Sequence, residues 1–261
     1  MPMRDVLAAE WNKTVTARST RYVLGVVALF VMLMLGLAWY FVAFWDGLSP
    51  AARPHASLGS LPELLGWILA LCMAVFGTLA ITTEYASGMI QSTFVAVPRR
   101  GEVLVAKAIV VALSTFVVSE VALGVTLLGA ALVVGSRAFD GQAPLAIGDV
   151  MLLAAMGLST TSFAMIGLGL GAISRSALAS VVSLVLLWYV GPLLANHVPQ
   201  PWSAWLTSLV PGALAGQLAG TGNAHSVFGA ALPPWAALGA LLAYGLVPLA
   251  VAMVATTRRD A

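Results

Sequence analysis

The chain has 261 residues, of which 61% are hydrophobic and only 8% charged, with a formal net charge of +2. Soluble domains average about 45–50% apolar and about 25% charged residues, so too few charges remain here to clothe a water-facing surface. The small positive excess is no nucleic-acid footprint, because the basic residues stand at the edges of long apolar runs.

Residues 1–21 precede the first of these runs. Leu7, Trp11 and Val15 recur at helical spacing, while Asp5, Asn12, Lys13 and Thr16 turn away. The pattern predicts an interfacial helix over 3–18, lying along the membrane surface with Trp11 at headgroup depth; a plain basic tail is the alternative.

Six apolar runs follow, at about 22–45, 64–83, 108–131, 151–173, 177–195 and 235–256. Each comes close to the roughly 20 residues an α-helix needs to cross about 30 Å of hydrocarbon. The sequence thus predicts an all-α membrane protein forming one membrane domain over 1–261. The first run is too long for a cleaved signal-peptide core. With the N-terminus inside, Arg4, Lys13, Arg18, Arg21, Arg99, Arg100, Lys107, Arg175, Arg258 and Arg259 face the cytoplasm, leaving Arg53 and Arg137 outside. That bias predicts both termini in the cytoplasm. The lone Cys72 lies inside the second run and has no intrachain disulfide partner.

The outer loop 46–63 carries three prolines, and a second outer loop spans 135–149. Only Ser174, Arg175 and Ser176 separate the fourth and fifth runs, which predicts a tight antiparallel hairpin. Residues 196–234 contain no Asp, Glu, Lys or Arg, and are apolar but broken by Pro and Gly. Each piece is too short to span, which suits a re-entrant pair of half-helices over 199–232 or a helix lying flat on the outer leaflet.

Catalytic patterns are missing. The chain has no G-x-x-x-x-G-K-[ST] phosphate loop, and His55, His197 and His225 lack metal-ligand spacing, so neither catalytic nor metal-binding residues are assigned. The segment 84–102 is more informative. Met89, Ile90, Phe94 and Val97 mark one face of a short helix that Pro98 ends, with Arg99 and Arg100 at headgroup level and Glu84 expected at a helix N-terminus. Such a helix either docks a cytoplasmic partner or rests on the inner leaflet.

Glu120 falls mid-way along the third run, where a charge costs about 2.5–3.5 kcal/mol or more. Ser159, Thr160, Thr161 and Ser162 lie at matching depth and are expected partners. The residue is either a neutral, hydrogen-bonded structural carboxyl or part of a translocation path. Thr160, Thr161, Trp188 and Tyr189 are path candidates by position, and interface anchoring accounts equally well for the two aromatics. Gly167, Gly169 and Gly171 permit close helix contact, expected within the subunit.

Several short elements persuade by their order. Glu84-Tyr85-x-x-Gly88-x-Ile90-x-x-Thr93 followed by Pro98-Arg99-Arg100 resembles the first cytoplasmic loop of type-2 ATP-binding-cassette (ABC) exporter permeases, in the compact six-span form typical of actinobacteria. Ala9-Glu10-Trp11-x-Lys13, Arg18-Ser19-Thr20, the stretch 167–176 and the terminal Arg258-Arg259-Asp260-Ala261 are similar too. The resemblance implies a permease in the bacterial plasma membrane that pairs with a second copy or paralogue. It implies a separate ATPase subunit that binds ATP and Mg and docks on a coupling helix within 84–102, formed by Glu84, Tyr85, Gly88, Met89, Ile90, Thr93, Phe94, Val97, Arg99 and Arg100. Gln91 departs from the basic residue expected there. An ion-coupled secondary transporter using Glu120 and a non-transporting membrane scaffold are the rival functions.

Overall fold

The computed structural model describes residues 2–55, 58–91, 100–137, 139, 147–220 and 232–259; of Pro54, Arg100, Ile147 and residues 256–259 only the backbone is described. Every described element is helical. Helix α1 (Met3–Thr16) is followed after the single extended residue Ala17 by α2 (Arg18–Gly47). Then come α3 (Leu61–Ala86), α4 (Arg100–Val134) and α5 (Ile147–Ser174). Helix α6 runs Ala177–Asn196 and contains a π-helical turn at Leu186–Val190. The short helices α7 (Trp202–Ser208) and α8 (Pro211–Leu218) precede α9 (Pro234–Arg259). Six of these, α2 to α6 and α9, are long and apolar enough to cross a membrane.

The helices outrun the apolar segments that announce them, because backbone hydrogen bonding continues where hydrocarbon ends. The largest difference is α4, which starts at Arg100 rather than near 108. The short link before α6 is as expected: α5 ends at Ser174, and the Ser176 hydroxyl caps α6 by accepting from Ala179 N–H.

Helices α3 and α5 form the centre, and α2, α4, α6 and α9 surround them with large apolar side chains turned outward, among them Leu29, Trp39, Leu132 and Leu178. Lipid is as apolar as those side chains, so burial alone does not drive such helices together; close packing and hydrogen bonds must. Both are present. A Cβ at Gly77 would run into the Ala164 carbonyl, and one at Gly167 into the Ala74 carbonyl, so α3 and α5 touch backbone to backbone. Gly171 meets Ile81 and Thr82 of α3, and Gly169 meets Pro248 of α9. The glycines thus pack within the subunit, against α3 and α9.

Hydroxyls complete the joints. Thr78 donates to the Gly167 carbonyl at 3.2 Å, joining α3 to α5. Ser159 donates to Pro211 O, Thr160 to Ser119 Oγ and Ser162 to Leu241 O, so α5 reaches α8, α4 and α9 in turn. Gln217 ties the segment before α9 together, donating to Ser208 O and accepting from Leu232 N–H. On the side where α2 ends, Arg137 makes a two-pronged contact with Asp46 at 2.8 and 2.9 Å, and Arg53 lies over the Trp45 ring.

Candidate functional site

The residues flanking the connection between α3 and α4 converge on a cluster of four charges. Glu84 is in the last turn of α3, not at the start of a separate helix, so its carboxylate stands at the end of a helix that the macrodipole makes negative. Two ammonium groups compensate. Lys107 of α4 donates to Glu84 Oε1 at 3.0 Å, and Lys13 of α1 donates to the same oxygen at 3.1 Å. The other carboxylate of the cluster is Glu10, whose two oxygens accept separately from Lys13 at 2.7 Å and from Lys107 at 2.5 Å.

Among the described residues the result is a ring, Glu10–Lys13–Glu84–Lys107, whose four formal charges sum to zero. Glu10, Glu84 and Lys107 are only 2, 3 and 4% exposed. Burial by itself would lower the pKa of Lys13, but hydrogen bonds and charge from Glu10 and Glu84 outweigh it and leave it above the ordinary lysine value of 10.5. Beside the ring is a cavity of about 80 Å³, lined among others by Lys13, Ser19, Thr20, Thr83 and Lys107. Next to it Val6 of α1 packs on Val103 and Ala106 of α4.

This changes the sequence reading of α1. The face it lays on protein carries Val6 and Glu10, with Lys13 engaged rather than turned away, while Trp11 and Val15 stay exposed. The outward signal was Lys107 itself, a lone ammonium in the apolar stretch Val-Ala-Lys-Ala-Ile-Val.

Past Glu84, α3 ends at Ala86, and Gly88 adopts a left-handed backbone with φ +72° that turns the chain. Tyr85 packs against the guanidinium of Arg175, with Cζ 5.2 Å from its ring, linking α3 to the α5–α6 turn. Residues 89–91 are helical again; Met89 is 44% exposed and Ile90 is buried at 7%. Arg100 falls in the first turn of α4. Thr93, Phe94, Val97 and Arg99 lie outside the described residues.

The mid-membrane candidates separate. Glu120 Oε1 is buried without a hydrogen-bond partner among the described residues. The expected hydroxyl partners are engaged elsewhere: Ser159, Thr160 and Ser162 with neighbouring helices, and Thr161 with its own Gly157 carbonyl at 2.7 Å. Trp188 is buried in the π turn of α6, 4.3 Å from the Phe163 ring and 5.0 Å from Trp67, and so does not anchor at a headgroup. Tyr189 is exposed.

Comparison with known families adds the deciding observation. A family model described as ABC-2 family transporter protein matches residues 6–191, from α1 into α6 and across the charge ring. The chain belongs to the ABC-2 transporter family. No curated protein matches it. This ABC-2 chain is accordingly a multi-pass membrane permease component of an ABC transporter, and the secondary-transporter and scaffold readings fall away.

Proposed function

We propose that this permease is the membrane subunit of an ATP-driven exporter in a bacterial plasma membrane. Two copies, or one copy and a paralogue, form the path. A separate ATPase subunit, holding ATP and Mg, docks on the coupling segment 84–102, with both chain termini on the same inner side. Closure of that motor on ATP moves the α3–α4 connection and opens the path outward. The carrying observation is the family match over 6–191, which includes this connection, four of the six spans and most of the fifth. The Gly88 turn that leaves Met89 exposed agrees with a docking surface there.

In the same reading α7 and α8 form a re-entrant pair, supported by the packing of α8 against α5 and α9, by that of α7 against the end of α6, and by their lack of charge. Glu120 is assigned to the path; supporting this are its buried Oε1, which has no hydrogen-bond partner among the described residues, and the α5 hydroxyls, which donate elsewhere. Thr160, Thr161 and Trp188 are then packing residues.

A photo-crosslinker at Met89 in living cells tests the docking. Capture of an ATPase subunit is expected; capture of phospholipid alone overturns it. Gly88→Pro and Phe94→Asp are expected to abolish copurification of the ATPase while membrane insertion persists. For Glu120→Gln, unchanged transport at normal expression would remove that residue from the path.

A further inference from the structure

The four-charge ring joins three helices, and its position relative to the docking connection is specific. Glu84 and Lys107 stand on either side of the α3–α4 connection, and both are bound to α1 through Glu10 and Lys13. Helix α1 leads into α2 through Ala17 alone. Two contacts stiffen that corner: Thr20 donates to Thr14 O at 2.6 Å, and Arg21 donates to Thr16 O at 3.3 Å.

Holding α1 in place does not require charge. Val6 already packs on Val103 and Ala106, and well-packed apolar residues are often as stabilising as a buried ion network, or more so. Charges differ from apolar contacts in being directional: each ammonium here is fixed by two carboxylates on different helices, which defines one register of α1 against α3 and α4. Such geometric specification is the best-attested use of buried polar groups.

We infer that Glu10, Lys13, Glu84 and Lys107 are positioning residues for energy coupling: they latch α1 to both ends of the docking connection, so that motion there reaches α2 as well as α3 and α4. This rests on the proposal that a motor docks on the 84–102 segment. Coupling thereby enters the bundle through three spans, and α1 is a strut of the lever rather than a float on the lipid surface.

The test uses the full chain co-expressed with the ATPase it captures, in a Cys72→Ser background. The reporter is Phe44→Cys, exposed at the far end of α2, whose labelling by a membrane-impermeant maleimide is compared with and without trapping by ATP hydrolysis in the presence of vanadate, which leaves ADP and vanadate bound. The double variant Glu10→Gln with Lys107→Met keeps the ring neutral and leaves the Lys13–Glu84 pair. The expected result is that the ATPase still copurifies and hydrolyses ATP, while the nucleotide effect on the reporter shrinks by about tenfold, within the usual range of allosteric coupling. Lys107→Arg retains the effect, and a short thiol crosslink between Val6→Cys and Val103→Cys restores it to the double variant. A nucleotide effect equal to wild type in the double variant overturns the inference, as does a loss that the crosslink leaves unchanged. Should the double variant fail to insert, two glycines placed after Ala17 leave the ring intact and free α1 from α2; an unchanged reporter response then overturns the inference, and a lost response supports it. If no ATPase copurifies with the wild-type chain, it is the docking proposal that fails.

Discussion

Glu120 Oε1 lies directly against Gly157, in a notch where a Cβ on the glycine would overlap the carboxylate and approach the Phe116 ring at 3.2 Å. The side chain therefore owes its place on α4 to a missing methyl group on α5. Because the obstruction is the tip of a flexible side chain, Gly157→Ala is expected to displace the carboxylate and destabilise the protein by about 1–3 kcal/mol. Adding Glu120→Ala should recover most of that loss, giving a coupling of roughly 0.5–3 kcal/mol in a double-mutant cycle. Thermal unfolding in detergent measures it, and strictly additive effects would contradict the contact.

The α3–α5 interface gives a harsher case. At Gly77 and Gly167 the obstruction is the backbone carbonyl of the facing helix, which cannot swing aside. Gly77→Ala and Gly167→Ala should each cost more than Gly157→Ala, at or beyond the upper end of the about 1–3 kcal/mol typical of overpacking. Gly124 of α4 is the internal control, since a Cβ there meets nothing within 4 Å. Gly124→Ala should be neutral or stabilising by up to about 1 kcal/mol, the helix-propensity difference between the two residues. Equal losses at all three positions would show that the α3–α5 backbones do not touch.

The contrast among these glycines shows what the sequence made legible. The spans were readable because about 20 apolar residues are a requirement of bilayer thickness, and α2 to α6 and α9 contain the six predicted runs. The G-x-x-x-G spacing of Gly167 and Gly171 announced a close contact but not its partner, since the facing carbonyls belong to α3, about 90 residues away. The charge ring was hidden for the same reason. Glu10 and Lys107 are 97 positions apart, and helical periodicity sorts apolar from polar faces without pairing one polar group with another. On α1 it grouped Leu7, Trp11 and Val15; Leu7 packs with Val6 on α4 while Trp11 and Val15 stay exposed, and nothing in the spacing announced that Glu10 is buried.

Gly88 supports a prediction of a different kind. Its φ of +72° belongs to the left-handed region, yet a Cβ there would meet nothing within 4 Å. The penalty for substitution is therefore conformational alone, about 1–2 kcal/mol for an L-residue. Gly88→Asn should cost least, because asparagine tolerates that region, Gly88→Ala more, and the β-branched Gly88→Val most. Chemical denaturation of the purified chain gives the ranking, and a loss that follows side-chain volume instead would indicate an unfilled contact rather than a backbone turn.

Topology is testable because the chain contains a single cysteine. In a Cys72→Ser background, cysteines at His55 and Ser136 should react with a membrane-impermeant maleimide in intact cells, whereas those at Ser87 and Ser174 should react only after permeabilisation. All four positions are exposed, so reactivity reports the side of the membrane rather than burial. The expectation follows from how the charges are held. Arg53 and Arg137 are attached to Trp45 and Asp46 at the far end of α2, while Lys13 and Lys107 are fixed in the ring at the opposite ends of the helices. Inverting the protein would carry Arg4, Arg18, Arg21 and Arg175, along with the ring, across the bilayer, against the preference of short basic loops for the cytoplasm. Labelling of Ser87→Cys in intact cells would reverse the orientation and place the α3–α4 connection beyond the reach of any cytoplasmic ATPase.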